Sequence, residues 1–599
     1  MPTDLEQWTP GGQTIVTGGV SSGLAPDAIR PDQLAWARNI NLRDGKPETP
    51  WGLVERAVLP FGRVQAIKPA TFGEGQLVMS LNGRIYKIVP DYSEVEIEEL
   101  TVPFPRAECA KKSFMVETAD SFIIQDGISA PLIYNGRSIR KAAADEITLG
   151  EFMANDGDRV WFTIGKTVNA LNIITGVPDS ELKFTEAQTF QGGGAFGLPS
   201  KPTGLAFMPS SDGTTTFGVL MVFGLDWTIA LRANIPDRSQ WLSTPGFKTE
   251  VFDNIGCASN DSIITSNSDM YWRDGEGEMR NMRQAVSDYD TAGSTSVSRE
   301  ISRLVDHESP ELLNECSGIV FRNKMIQTAS PFFVYRNQVA YRDMFSLDFT
   351  PIGTQGEKRK PVYDGERDGI FVTNLVTLTR KGQKRAFAIS KDEDGTNRLW
   401  EIVPEERNDI FFNKDGVRTV NRIESDIQYR SFDFESNLRP SIFQRIDFWL
   451  SGIEGEITGT VYYRRNNNKQ WIKIDDFDFC TLVQDFSQDE PHVWKHLEGG
   501  RKDQVISRTP PALGEKLKGH SFEFRFIIKG VFRLEKVLAF VADIEVPVHA
   551  QPRRSACEEN EITLVGTEYR IPVALKTLRV YTDQNGDSYA DQNGVEYQG

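Results

Sequence analysis

The residues able to do chemistry in this chain are few and far apart. Its five histidines, His307, His492, His496, His520 and His549, include no HExxH pair and no Cys/His pair at metal-ligand spacing. His492 and His496 lie four apart and would share a face on a helix, but Pro491 and the β-prone surroundings predict a turn or strand, so no metal site is expected. The five cysteines, Cys109, Cys257, Cys316, Cys480 and Cys557, are too widely spaced for CxxC pairs or a zinc ribbon. They read as buried thiols of a protein folded in a reducing cytosol. There is no GxSxG elbow, no Walker A loop and no GxGxxG after a strand. The glycine-rich stretch 191–197 lacks the Lys-Ser/Thr that would hold phosphate and magnesium, and reads as a flexible loop.

Two segments invite comparison with propeller sialidases, whose turns run Ser-x-Asp-x-Gly-x-x-Trp: Ser210-Ser211-Asp212-Gly213, and Ser390 through Gly395 ending at Trp400. Neither spacing fits, and no arginine triad can be singled out among 67 basic residues. Asp392, Asp394 and Gly395, and Asp583, Asn585 and Asp587, alternate like calcium-loop ligands; both sets lack a distal Glu and read as hairpin turns. The expectation is a protein that is not an enzyme, with no cofactor and no metal. Carbohydrate binding without hydrolysis stays open, because 11 Trp and 15 Tyr can supply stacking platforms.

Charge narrows the partners. Sixty-seven Lys and Arg against 84 Asp and Glu leave −17, which argues against gripping nucleic-acid phosphates through overall charge. The opening Met1-Pro2-Thr3-Asp4-Leu5-Glu6 is acidic and no apolar run follows it, so no secretory signal is expected. The best apolar run, Val219–Phe223, falls far short of the ~18 residues of a membrane span. A soluble product made in the cytoplasm is expected.

The elements that must carry these residues are mostly strands, since 50 Gly and 30 Pro punctuate short apolar runs along the whole chain. One shape recurs seven times: an apolar run, a turn with Asn, Asp or Gly, and a second apolar run. The copies begin at Leu77, Phe122, Val160, Val219, Ile263, Met325 and Phe387, about 52 residues apart on average, close to the period of propeller blades. Stacked radially, such hairpins bury both faces. The pattern predicts a mainly β chain: a divergent β-propeller over 60–429, preceded by an extended N-terminal arm and lead-in over 1–59. Val297, Ile301, Leu304 and Val305 fall at helical spacing and predict a short helical insertion at 294–306. Beyond 430, Ile446, Phe448 and Leu450, and Phe522, Phe524, Phe526 and Ile528, alternate with other residues and predict a separate C-terminal β-sandwich over 430–545. The remainder, 546–599, reads as a linker and a β-hairpin tail with two Asp-Gln-Asn-Gly turns.

The opening segment carries the most specific signal. Gly18-Gly19-Val20, a Pro-containing stretch with Pro26 and Pro31, Gln33, Asn39, Arg43-Asp44-Gly45 and Pro50-Trp51-Gly52 resemble the start of tailed-phage virion proteins, among them the short-tail nozzle family, tail tubular protein B. Trp51 shifts the family's Pro-Gly junction. Gly256 through Ile264, then Met270-Tyr271-Trp272 and Asp274-Gly275, is similar to a blade of the same proteins, and many have a counterpart of the C-terminal sandwich. The resemblance covers about residues 12–545.

It implies a structural virion protein of a short tail, made in the host cytoplasm: a closed, six-fold homo-oligomeric ring below the portal–adaptor complex that retains and conducts the genome during ejection. Its partners are then further copies of itself, the adaptor and portal proteins, tail fibres or spikes, and genomic DNA in the lumen. An acidic wall suits that task, because repelled phosphate slides. The alternative is a host receptor- or glycan-binding tail protein with a propeller recognition face. Gly18, Gly19, Pro26, Pro31, Gln33, Asn39, Arg43 and Gly45 are expected to belong to an assembly arm that packs on a neighbouring subunit or adaptor, since this stretch is rich in turn residues and poor in periodic apolar ones.

Overall fold

The computed structural model describes residues 9–543 apart from 101–111, 174–181, 184–194, 209–218, 233–239, 286–295, 302–307, 335–337, 351–359, 413–416, 435–439, 485–493, 497–503, 511–516 and a few shorter interruptions. The chain is mainly β, 60% strand and 4% helix, with a five-blade propeller arrangement. The first blade shows why these sequences fold as they do. Gln76–Leu81 is buried at every position, Asn82 and Gly83 take positive φ (46° and 74°), and Arg84–Pro90 returns in register with Leu81 opposite Arg84. Two consecutive left-handed residues make the tight turn that matches strand twist. Val64–Ala70 and Val95–Leu100 complete this meander.

Blades two to four follow as antiparallel sheets around Phe122–Gln125, Arg159–Ile164 and Val219–Phe223, and the fifth is the three-stranded sheet Ile264–Ser266, Asp269–Arg273 and Met279–Asn281. Each blade buries both faces on its neighbours. Leu77 and Met79 pack toward Val376 and Phe387, whereas Val78 and Ile85 of the same blade meet Phe122 and Ile124 of the second. The run ends at a large sheet: Tyr271 and Met279 of blade five share a core with Met325 and Phe345. The Met325 and Phe387 copies of the repeat therefore lie in this sheet, in strands Lys324–Val334 and Gln383–Lys391. Its strand Asn397–Val403 pairs with Gly52–Leu59 from the opposite end of the sequence.

The C-terminal strands do not form a separate sandwich. Ser441–Arg465, Ile472–Cys480, Gln504–Arg508 and Ser521–Asp543 continue the same large sheet, which closes as a barrel. Phe522, Phe524, Phe526 and Ile528 face inward, as their alternation predicts, onto Phe443, Phe448 and Tyr463. Period-two alternation marks a half-buried strand but carries no information about which sheet the strand joins, and the 430 boundary fails for that reason.

The described part of the arm is likewise woven into the chain's own fold. Thr9–Gln13 pairs with Val537–Val541 of the last strand, Leu34–Arg38 pairs with Glu424–Tyr429, and Val16, Val20, Leu34, Ala37, Ile40 and Leu42 are buried in the barrel core. The helical insertion is also corrected: among described residues, Ser296 to Ile301 is a turn followed by the three-residue 3-10 element Arg299–Ile301. Ser296 competes for the backbone there, its hydroxyl accepting from the Ser298 N–H at 3.0 Å. Val297 and Ile301 are buried as the spacing requires; Leu304 and Val305 lie outside the described residues, as do the linker and tail at 546–599. No helix among the described residues is long and apolar enough to cross a membrane.

Candidate functional site

A cavity of about 300 Å³ lies between Val64–Ala70, Ile264–Ser266, Gly318–Phe321 and Val372–Arg380, with Lys384 reaching it from the following strand. Lys68 and Asp261 meet in its wall at 2.7 Å. Asp261 sits in the 3-10 turn Asn260–Ser262 between blades four and five. Burial pushes its carboxyl up, but the Lys68 and Lys112 ammonium groups outweigh burial and hold it below the ordinary carboxylate value. Lys112 itself donates to the Asn314 carbonyl, and Arg63 pairs with Glu315 at 2.6 Å. Asn374, Thr265 and Thr377 supply the neutral polar lining.

Cys257 and Cys316 are buried free thiols, pushed up by burial to about 12 and about 11, so both stay protonated at neutral pH and neither is a nucleophile. Arg273 of the fifth blade donates to the Thr328 carbonyl at 3.1 Å, lies over the Phe345 ring and pairs with Glu308. Burial pushes the Glu308 carboxyl above its ordinary value, against the pull of Arg273.

Within the single chain, the residues expected in an assembly arm lie along a seam. Gly18 accepts from the Gln33 amide at 3.1 Å, and a Cβ on Gly18 would stand 2.5 Å from Gln33 Cγ. Gly19, at φ +74°, lies against the backbone of Pro361. The Pro26 carbonyl accepts from Ser431 N at 3.0 Å, while Pro31 is exposed. Asn39, at φ 54°, donates its amide to the Glu424 carbonyl, and its own carbonyl accepts from the Ser425 hydroxyl at 2.6 Å. Arg43 pairs with Asp348 at 3.1 Å and covers the Trp51 ring, which Lys324 faces at 5.0 Å. Gly45, at φ 74°, accepts from Val16 N. A recess of about 100 Å³ beside Asn39 holds Arg38, Arg367 and Arg422, each matched by a carboxylate: Glu424 at 3.0 Å, Asp409 at 3.4 Å and Glu456 at 3.1 Å.

The other candidates resolve into turns. Asp394 accepts from Thr396 N at 2.9 Å and Asp392 takes Arg398 at 2.7 Å, closing a hairpin. Asp274, Glu276 and Glu278 bring three carboxylates within 4.8 Å of one another, but Asp274 accepts from two backbone N–H groups of its own turn and Arg280 bridges Asp274 and Glu278. His496 ends the short strand Trp494–His496; His307, His492 and His549, the Ser210 turn and the Asp583 loop lie outside the described residues. Lys68, Asp261 and Lys384 went unrecognised in the sequence. The one local signal was a lysine, Lys68, directly after Ala66-Ile67 in a strand-like stretch. Comparison of the chain with family models and with curated proteins gives no match.

Proposed function

We propose that the protein is a structural component of a bacteriophage short tail, a ring of identical copies that retains the genome and conducts it during ejection. The observation that supports this reading is where the resembling residues lie. Gly18, Gly19, Gln33, Asn39, Arg43 and Gly45 shape the N-terminal segment and join it to the large sheet, through positive φ at Gly19, Asn39 and Gly45, hydrogen bonds of Gln33 and Asn39 and the Arg43–Asp348 ion pair, which are architectural tasks. A chain charge of −17 fits a wall past which DNA must slide. Closed heterologous contacts make a ring from one chain. In this reading adaptor, portal and fibre or spike proteins contact the ring's two ends. The cavity lined by Lys68, Asp261 and Lys384 favours the second reading, a tail protein that binds a host glycan on its propeller. Negative-stain imaging and native mass spectrometry of the full chain separate the two. A closed six-fold ring is expected; a monomer at micromolar concentration, or a peripheral trimer when located on a virion, overturns the conduit.

A further inference from the structure

The cavity between blades one and five and the large sheet has more cationic than anionic groups among its described lining residues, although the chain as a whole is strongly acidic. Asp261 is the one carboxylate among its described lining residues, and Lys68 already neutralises it at 2.7 Å. Lys112 reinforces the same carboxylate. Lys384 is left over. It makes no ion pair among the described residues, and its side chain stands in the cavity lining with Asn374 and Thr377. An exposed ammonium group at the wall of an open cavity, without a counter-charge among the described residues, is a site that an anion would complete.

We propose that this cavity binds a small anion of the carboxylate or phosphate class, seated between the Lys68 and Lys384 ammonium groups, with Asn374 and Thr377 donating to its remaining oxygens. The volume, about 300 Å³, is that of a small-molecule site and admits a hexose-sized ligand. It excludes a nucleic-acid duplex, so this site stands apart from any role in passing DNA. Thr265 at the rim offers a further hydroxyl to a polyol. Positions on strand edges fix the donors before the ligand arrives, which limits the ordering cost of binding.

The experiment uses the full chain with glucuronate, inorganic phosphate and neutral glucose, read by calorimetry or ligand-observed NMR. At least one of the two anions is expected to saturate a single site while glucose at equal concentration does not; which anion binds names the class. Lys384→Gln, an exposed position outside every ion pair described, is expected to weaken that binding about tenfold or more at unchanged melting temperature. Equal binding of glucose and glucuronate, equal binding by wild type and Lys384→Gln, or no saturable binding of either anion at millimolar concentration overturns the proposal.

Discussion

Arg273 and Glu308 form an ion pair from which water is excluded, their side chains 0% and 2% exposed. Through it the fifth blade is bound to the large sheet, because the same guanidinium donates to Thr328 and covers Phe345. Breaking such a pair on one side leaves a buried charge uncompensated, which costs about 3–5 kcal/mol, whereas replacing both partners by apolar groups of similar size costs far less. Arg273→Met and Glu308→Leu are each expected to lower the urea midpoint strongly, and the double variant Arg273→Met/Glu308→Leu less than either. Denaturation of the four proteins tests this; a double variant as unstable as the sum of the singles would show that the two residues act independently.

Acid should act through a different pair. Glu401, 10% exposed, is pushed up by burial, but Arg385 at 2.6 Å and Arg56 at 2.7 Å overcome this and hold its carboxyl below the ordinary value. A carboxylate depressed in the fold contributes stability that is fully present above its unfolded value near 4.5 and is lost as pH falls through the folded value. Glu308, displaced upward, has the opposite sign and cannot supply this acid limb. The wild type is expected to lose stability below about pH 4.5, and Glu401→Gln to show a shallower loss over the same range. Urea midpoints measured from pH 3 to 7 decide it, with parallel acid limbs counting against the assignment.

Local periods were legible in the sequence and partnerships between distant strands were not. The recurring shape at Leu77, Phe122, Val160 and Val219 is the second strand of each of the first four blades, since burial on both faces demands a mostly apolar run, ended in the first three by a turn with a residue at positive φ. Phe522, Phe524 and Phe526 likewise declared their inner face. Nothing local says that Leu34–Arg38 pairs with Glu424–Tyr429, nearly 400 residues away, or that Gly52–Leu59 pairs with Asn397–Val403. That long-range pairing turns a Gly- and Pro-rich opening into a core seam, and the tertiary fold likewise brings Lys68, Asp261 and Lys384 from three distant stretches to one cavity.

The seam can be told from a free arm by its glycines. Gly19 and Gly73 both hold positive φ, +74° and +62°, so alanine pays the left-handed penalty of about 1 kcal/mol at either position. Their surroundings differ. A Cβ at Gly73 meets nothing within 4 Å, whereas at Gly19 it would stand 2.7 Å from Pro361 Cδ and 2.9 Å from Pro361 N and O. Two of those atoms are backbone of the strand Lys360–Tyr363, which pairs with Gln338–Asp348 and cannot retreat without breaking that ladder. Overpacking of this kind adds roughly 1–3 kcal/mol, so Gly19→Ala is expected to destabilise the isolated chain by about 3 kcal/mol in total and Gly73→Ala by about 1. Thermal melts of the isolated, unassembled chain read the difference directly. Equal melting temperatures for the two variants would mean that residues 16–45 do not pack on their own chain in solution, and would return that segment to the role of an arm ordered by a neighbour.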